Sequence, residues 1–170
     1  MKSIVKILVS GPVGAGKTTL IRTLSTIPVV NTDELSSEQI GKSQTTVALD
    51  FGQMDLGDIS LHLFGTPGQS RFDFMWEVLS EGAFGMLLLV ACNRPGDFPN
   101  ARRILEFVTS RHPIPFLIAL THGDVATDAW MPEDIAAYFG IPAGQVVSIN
   151  PEVRESAELA LIQLVRQLCI

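Results

Sequence analysis

An α/β fold built on a mostly parallel sheet is predicted by three features of this 170-residue sequence. Apolar, strand-like runs alternate with helix-like patterns along the whole chain. Two of the runs, "MLLLVAC" and "PFLIALT", are continuously apolar, as in strands covered on both faces. A glycine-rich segment, "GPVGAGKT", leaves another such run and opens a helix, the order in which a phosphate-binding turn is built.

The elements follow in order. "SIVKILVS" reads as the first strand. Residues 17 to 27 read as a helix with Leu20, Ile21, Leu24 and Ile27 on one face, ended by Pro28. The polar, aperiodic stretch 29 to 43 reads as a long loop, a feature usually tied to function. "TTVALDF" and "DISLHLF" both alternate, with "GQMDLG" between them, and predict an antiparallel hairpin at the sheet edge. After the two buried runs, residues 98 to 111 carry Ile104, Leu105 and Val108 at helical spacing. Residues 132 to 139 suit a short helix with Pro132 in its first turn. "QVVSI" is the last strand. A closing helix over about 152 to 168 is expected to bury Val153, Ala157, Leu161, Leu164 and Leu168. The sum is roughly six strands and five helices in one domain, residues 1–170, with no repeat or linker.

Composition bounds the function. An apolar fraction of 46% and a charged fraction of 18% fit a folded domain. A net charge of −6 argues against nucleic-acid binding and against docking on anionic lipid. The run at the N-terminus is short and contains Lys6, unlike a signal peptide or a span. Met1-Lys2 lacks the glycine that myristoylation uses, and Cys169 stands in the wrong place for prenylation. Cys92 and Cys169 have no paired spacing, and Cys92 reads as a buried reduced thiol. The expectation is a cytoplasmic protein without a lipid anchor.

"GPVGAGKT", residues 11 to 18, fits G-x-x-x-x-G-K-[ST]; a chance match in a chain of this composition is on the order of one in a hundred or less. Gly14, Ala15, Gly16, Lys17, Thr18 and Thr19 would wrap a polyphosphate with main-chain N–H groups, aided by the helix N-terminus. Lys17 can place its ammonium between the β- and γ-phosphates, and the Thr18 hydroxyl can ligate Mg²⁺.

Further segments follow in order: "TTVALDFG", "TPGQ" at 66 to 69, "THGD" at 121 to 124 and "SIN" at 148 to 150. Together with the loop they resemble small Ras-like and Arf-like P-loop GTPases over essentially the whole chain, nearest to bacterial MglA-like and conservon-associated small GTPases. The resemblance implies a three-layer P-loop NTPase fold, with a six-stranded, mostly parallel sheet, one antiparallel edge strand and about five helices. It implies GTP and GDP as ligands, Mg²⁺ as cofactor, and two switch segments at about 29–46 and 65–80. Thr46 would hold Mg²⁺ and touch the γ-phosphate, with Thr45 as the register alternative. The Gly68 amide would meet the γ-phosphate, and Gln69 would orient the attacking water as the catalytic residue beside Lys17. His122, Asp124, Ser148 and Ile149 would hold the base. An Asp124 carboxylate can accept from guanine N1–H and the 2-amino group, where adenine offers no donor. By the same resemblance the partners are a protein effector and a Roadblock-type activating protein or sensor-kinase system.

The sequence departs from the pattern at four places. Gly65 replaces the switch aspartate, which predicts weakened but retained Mg²⁺ binding. Thr121 and His122 replace asparagine and lysine; threonine is too short to bridge base and phosphate loop as the amide does, while histidine can stack on the base. Val13 stands where relatives often carry glycine and crowds the γ-phosphate, so unaided hydrolysis is expected to be slow. Arg71 is the nearest candidate for an arginine supplied in cis, a solvated side chain being the alternative. Phe72, Phe74, Met75 and Trp76 exceed what one helical face buries and suggest either an interface or core. Three functions remain open: a GTP-hydrolysing switch, a nucleotide-binding module with little hydrolysis or relaxed ATP/GTP choice, and a small-molecule kinase. The last is weakened because Arg102, Arg103 and Arg111 fall on a helix face.

Overall fold

The computed structural model describes residues 1–31, 49–67, 73–123 and 129–168, with the side chains of Asn31, Asp73, Phe74, Met75 and Leu168 set aside. The readings of Thr45, Thr46, Gly68, Gln69, Arg71, Phe72, Asp124 and Cys169 therefore lie outside the described residues, as do those of the Phe74, Met75 and Leu168 side chains.

The strands are β1 (Ser3–Ser10), β2 (Val30–Asn31), β3 (Asp50–Leu56), β4 (Ile59–Gly65), β5 (Gly85–Ala91), β6 (Phe116–Thr121) and β7 (Val146–Ser148). The helices are α1 (Lys17–Leu24), α2 (Asp73–Ser80), α3 (Phe98–Arg111), α4 (Pro132–Phe139) and α5 (Arg154–Leu168). The sheet order is β2-β3-β4-β1-β5-β6-β7. β3 runs antiparallel to both neighbours, and every pair from β4 to β7 is parallel. The six expected strands are present; the two-residue β2 lies outside β3, so the hairpin is one place in from the rim.

Period-2 alternation in the central strands sends side chains to two separate cores. Ile7, Val9, Leu87, Leu89, Leu117 and Ala119 meet α1 and α5 through Leu20, Ile21, Leu24, Ala157, Leu161 and Leu164 on one face. Leu8, Met86, Leu88, Val90, Ile118 and Leu120 meet α2, α3 and α4 through Trp76, Leu79, Ile104, Leu105, Val108 and Ile135 on the other. This is a three-layer α/β arrangement, and it explains why "MLLLVAC" and "PFLIALT" show no alternation. Fully burying one such side chain contributes about 1.5–3 kcal/mol.

Three sequence readings need correction, and one left open between two alternatives is resolved. α1 stops at Leu24, before Ile27 and Pro28, because Ser25 leaves helical geometry and its hydroxyl accepts from the Gln53 amide at 3.0 Å. The hairpin turn is Gly57-Asp58 alone, since "GQMDL" belongs to β3 and Leu56 pairs with Ile59. Polar residues at 53 and 55 fit there because they lie on the exposed side of the hairpin. Val153 precedes α5 and is 47% exposed, outside the core formed by Ala157, Leu161 and Leu164. Trp76, read as interface or core, is fully buried, and its Nε1–H donates to the Pro67 carbonyl at 2.7 Å. Cys92 is buried and in no disulfide, as expected.

Candidate functional site

The site lies at the carboxyl ends of the parallel strands, where β1 turns into α1. Gly11 follows β1, and a Cβ there would lie 2.3 Å from the Leu89 main-chain oxygen of β5, so only glycine lets the loop pass. Gly16, with φ 107°, enters α1 in left-handed geometry. Among the described residues no side chain caps this helix, and its first amides are turned to the loop. Ala15 is buried inside the loop, Thr19 continues the first turn of α1, and Val13 is 59% exposed.

Lys17 folds back over the loop, donating to the carbonyls of Gly11 at 2.7 Å and Pro12 at 2.8 Å. Its ammonium is thus held over the concavity that the amides surround. Burial pulls the Lys17 pKa down to about 8, opposed in part by the nearby Asp50 carboxylate. A bound polyphosphate would supply the missing counter-charge.

Thr18 donates its hydroxyl proton to Asp50 Oδ2 at 2.5 Å. Asp50 begins β3 and is 8% exposed. A hydroxyl and a carboxylate in contact form a hard-oxygen donor pair that fits Mg²⁺. Among the described residues no cluster of three or more His, Cys, Asp or Glu could hold a metal alone. A Mg²⁺ here would be held by Thr18 together with phosphate oxygens and water, with Asp50 alongside.

Thr121 ends β6 fully buried, and its hydroxyl donates to the Ala15 carbonyl at 2.7 Å. The threonine reaches the phosphate loop because β6 brings it close enough for a short side chain; the expectation that it does not also bridge to a base concerns a second contact. The same hydroxyl lies 2.8 Å from His122 Nδ1. With its single proton given to Ala15, Thr121 must accept from His122, which places the ring hydrogen on Nδ1. His122 has φ 67°, a left-handed conformation that non-glycine residues adopt at a cost.

Ser148 and Ile149 follow at the end of β7, with the Ile149 amide bonded to the Leu120 carbonyl at 2.9 Å. They border a pocket of about 400 Å³ that also includes Gly123, Trp130, Asn150 and Ser156. Pro151 packs against Gly16, and its carbonyl accepts from Thr23 at 2.6 Å, fastening this loop to α1. The phosphate loop, Thr121-His122 and Ser148-Ile149 thus converge.

Two residues escaped the sequence reading. Asp50 looks like one polar position in an alternating strand. Arg94, in the turn after β5, places Nη1 2.5 Å from where a Cβ on Gly14 would stand. Its guanidinium therefore lies over the phosphate loop, a closeness no local pattern encodes. Arg102 and Arg111 instead rest on the rings of Tyr138 and Phe107, at 4.2 and 3.7 Å from the ring centres.

Fold and loop together define a P-loop nucleotide-binding domain of G-domain architecture. Residues 28–141 match the family described as "Conserved hypothetical ATP binding protein", and the chain belongs to that family. The match starts after α1 and ends before β7. The chain is 32% identical over 127 residues to an uncharacterized protein, MJ1339, of Methanocaldococcus jannaschii, covering 73% of each chain. It is 25% identical over 173 residues to the Ras-related protein Rab-32C of Dictyostelium discoideum, covering 92% of this chain and 73% of that one. The fold matches the G domain of the T. maritima FeoB iron transporter with a TM-score of 0.69 at 17% identity, covering 98% of this chain and 99% of that one. It also matches the bacterial selenocysteine-specific elongation factor EF-Sec with a TM-score of 0.71 at 22% identity, covering 98% of this chain but 29% of that one. No described helix is long and apolar enough to cross a membrane.

Proposed function

We propose that this chain is a guanine-nucleotide-dependent molecular switch that hydrolyses GTP to GDP slowly. The observation that carries the reading is the geometry around the phosphate loop. The first α1 amides, the Lys17 ammonium and the Thr18 hydroxyl converge on one concavity, which Thr121 ties to β6. Such an arrangement grips a polyphosphate and leaves one hydroxyl for its Mg²⁺.

In this reading Thr46 and the Gly68 amide meet the γ-phosphate, Gln69 orients the attacking water, and Asp124 selects guanine. Thr18 and Thr46 hold Mg²⁺. Segments 29–46 and 65–80 change with the γ-phosphate, and a protein effector reads them. Val78, 60% exposed on α2, offers apolar contact in the second segment. The resemblance to MglA-like GTPases supports a Roadblock-type activating protein or a sensor-kinase system as partner. The cytoplasm is the proposed location.

A second reading is a module with adenine or mixed base choice and little hydrolysis. The ATP in the family's description and the exposed Val13 favour it. Titration with GDP, GTP, ADP and ATP, with and without Mg²⁺, decides between the two, followed by single-turnover phosphate release. Guanine preference of tenfold or more and measurable release are expected, about 1.4 kcal/mol per factor of ten. Equal binding of adenine and guanine with no release supports the second reading. No binding of either overturns both.

A further inference from the structure

Gly65 leaves β4 without the carboxylate that the resemblance places next to Mg²⁺. Across the antiparallel β3–β4 pair, Gly65 stands directly opposite Asp50. A Cβ on residue 65 would lie 3.2 Å from the Asp50 Cβ, 3.6 Å from Asp50 Oδ2 and 2.9 Å from Ile21 Cδ1. The space a side chain at 65 would need is already held by the Asp50 side chain and the end of Ile21. That volume admits one carboxylate, and it comes from β3.

We propose that Asp50 supplies, from the neighbouring strand, the carboxylate that faces nucleotide-bound Mg²⁺, so that the function lost at Gly65 has moved across the sheet. The proposal rests on the reading above that a Mg²⁺–nucleotide complex fills the phosphate loop. The Thr18–Asp50 contact shows how the relocated group acts. Thr18 has one hydroxyl proton, and Asp50 takes it at 2.5 Å. The lone pairs of the Thr18 oxygen are then turned away from Asp50 and available to a cation. A cation drawing density from that oxygen makes its proton a better donor, so the carboxylate and the metal reinforce each other. Burial of Asp50 keeps bulk water from screening the effect. The same carboxylate repels phosphate when no cation intervenes, which gives the inference a signature opposite in sign with and without metal.

The test is the Mg²⁺ dependence of GDP binding, read by nucleotide dissociation over a range of free Mg²⁺. In the native chain Mg²⁺ slows GDP release. In Asp50→Asn the Mg²⁺ concentration needed for half of that effect should rise by about 10–100-fold, while metal-free GDP binding, measured well below pH 8 so that Lys17 keeps its proton without the help of Asp50, is not weakened. Returning the carboxylate to β4 with Asp50→Gly/Gly65→Asp, plus Ile21→Val to clear space, should recover much of the Mg²⁺ dependence; a purely structural role for Asp50 would not be rescued in this way.

Should Asp50→Asn fail to fold, the native chain still carries the test. Leu49-Asp50 is the one Leu-Asp pair in the sequence. ¹³C-carbonyl leucine with ¹⁵N-aspartate therefore isolates the Asp50 amide by NMR, and Mg²⁺ added to the GDP complex should shift it. Unchanged Mg²⁺ dependence in Asp50→Asn, an equal loss of GDP binding with and without metal, or an unmoved Asp50 amide overturns the inference and leaves the nucleotide reading standing. Absence of GDP binding by the native chain overturns both.

Discussion

The Thr121 hydroxyl donates to the Ala15 main-chain carbonyl at 2.7 Å, joining the end of β6 to the phosphate loop through a fully buried side chain. Replacing it with valine keeps the shape but leaves the Ala15 carbonyl and the His122 ring N–H without their partner. An unsatisfied buried group costs about 1–3 kcal/mol. Thr121→Val should lose that much stability in urea denaturation and bind nucleotide more weakly, because the loop loses its anchor. Thr121→Ser, which keeps the hydroxyl, should lose less on both counts.

Lys17 gives a pH dependence with a definite sign. Its pKa of about 8 lies below the usual 10.5 because burial outweighs the help from Asp50. Above pH 8 the folded, ligand-free protein holds Lys17 neutral, whereas the unfolded chain keeps the proton up to about 10.5. This group therefore adds stability as pH rises from 8 towards 10.5 and penalises the folded state below 8. A polyphosphate reverses the preference, since it favours the ammonium. GDP binding above pH 8 should take up a proton, and affinity should fall by up to about tenfold per pH unit. Calorimetry in buffers of different ionisation enthalpy measures that proton, and Lys17→Met should abolish it along with most binding.

Arg94 lies over Gly14 at the mouth of the loop. A guanidinium there draws an anionic ligand across solvent, and such attraction is screened over about 8 Å at physiological salt. Arg94→Gln should weaken nucleotide binding at low ionic strength and flatten its salt dependence. Dissociation constants at two salt concentrations check this. Equal slopes for both proteins would mean that Arg94 contributes nothing to capture.

His122 adopts φ 67°. Left-handed geometry costs a non-glycine residue about 1–2 kcal/mol. His122→Gly should therefore be more stable than His122→Ala by about 1 kcal/mol. Both variants lack the ring, so both should bind GDP less tightly if that ring stacks on the base. The stability comparison is read by thermal or urea unfolding, and the ring's contribution by titration.

How far the sequence carried depends on how local each signal was. The spans of α3 and α4 were readable because Pro132 and the Ile104, Leu105 and Val108 stripe mark them within a single turn or face. The end of α1 has no local mark, because Ser25 abandons the helix for a bond to Gln53, 28 residues away. "GQMDLG" resembles a loop because it sets Gln53 and Asp55 between two glycines, although its polar side faces solvent in the hairpin. Asp50 is the sharpest case. Its partners Thr18 and Gly65 lie at distant positions in the sequence; strand register sets Gly65 opposite Asp50, and the packing of α1 brings Thr18 to it. Thr121 could be located but not its reach, since the approach of β6 to the loop is a property of packing. The loop itself was legible because the glycines, Lys17 and Thr18 are consecutive.

The chain holds two tryptophans. Trp76 is sealed in the core, whereas Trp130 is 37% exposed on the wall of the pocket beside Ile149 and Gly123, with Phe98 edge-on at 5.1 Å. Intrinsic fluorescence therefore arises from two indoles in unlike places, Trp130 on the pocket wall and Trp76 inside the segment proposed to change with the γ-phosphate. Occupancy of the cleft becomes an optical signal carried by the native polypeptide, available without dyes or modified ligands.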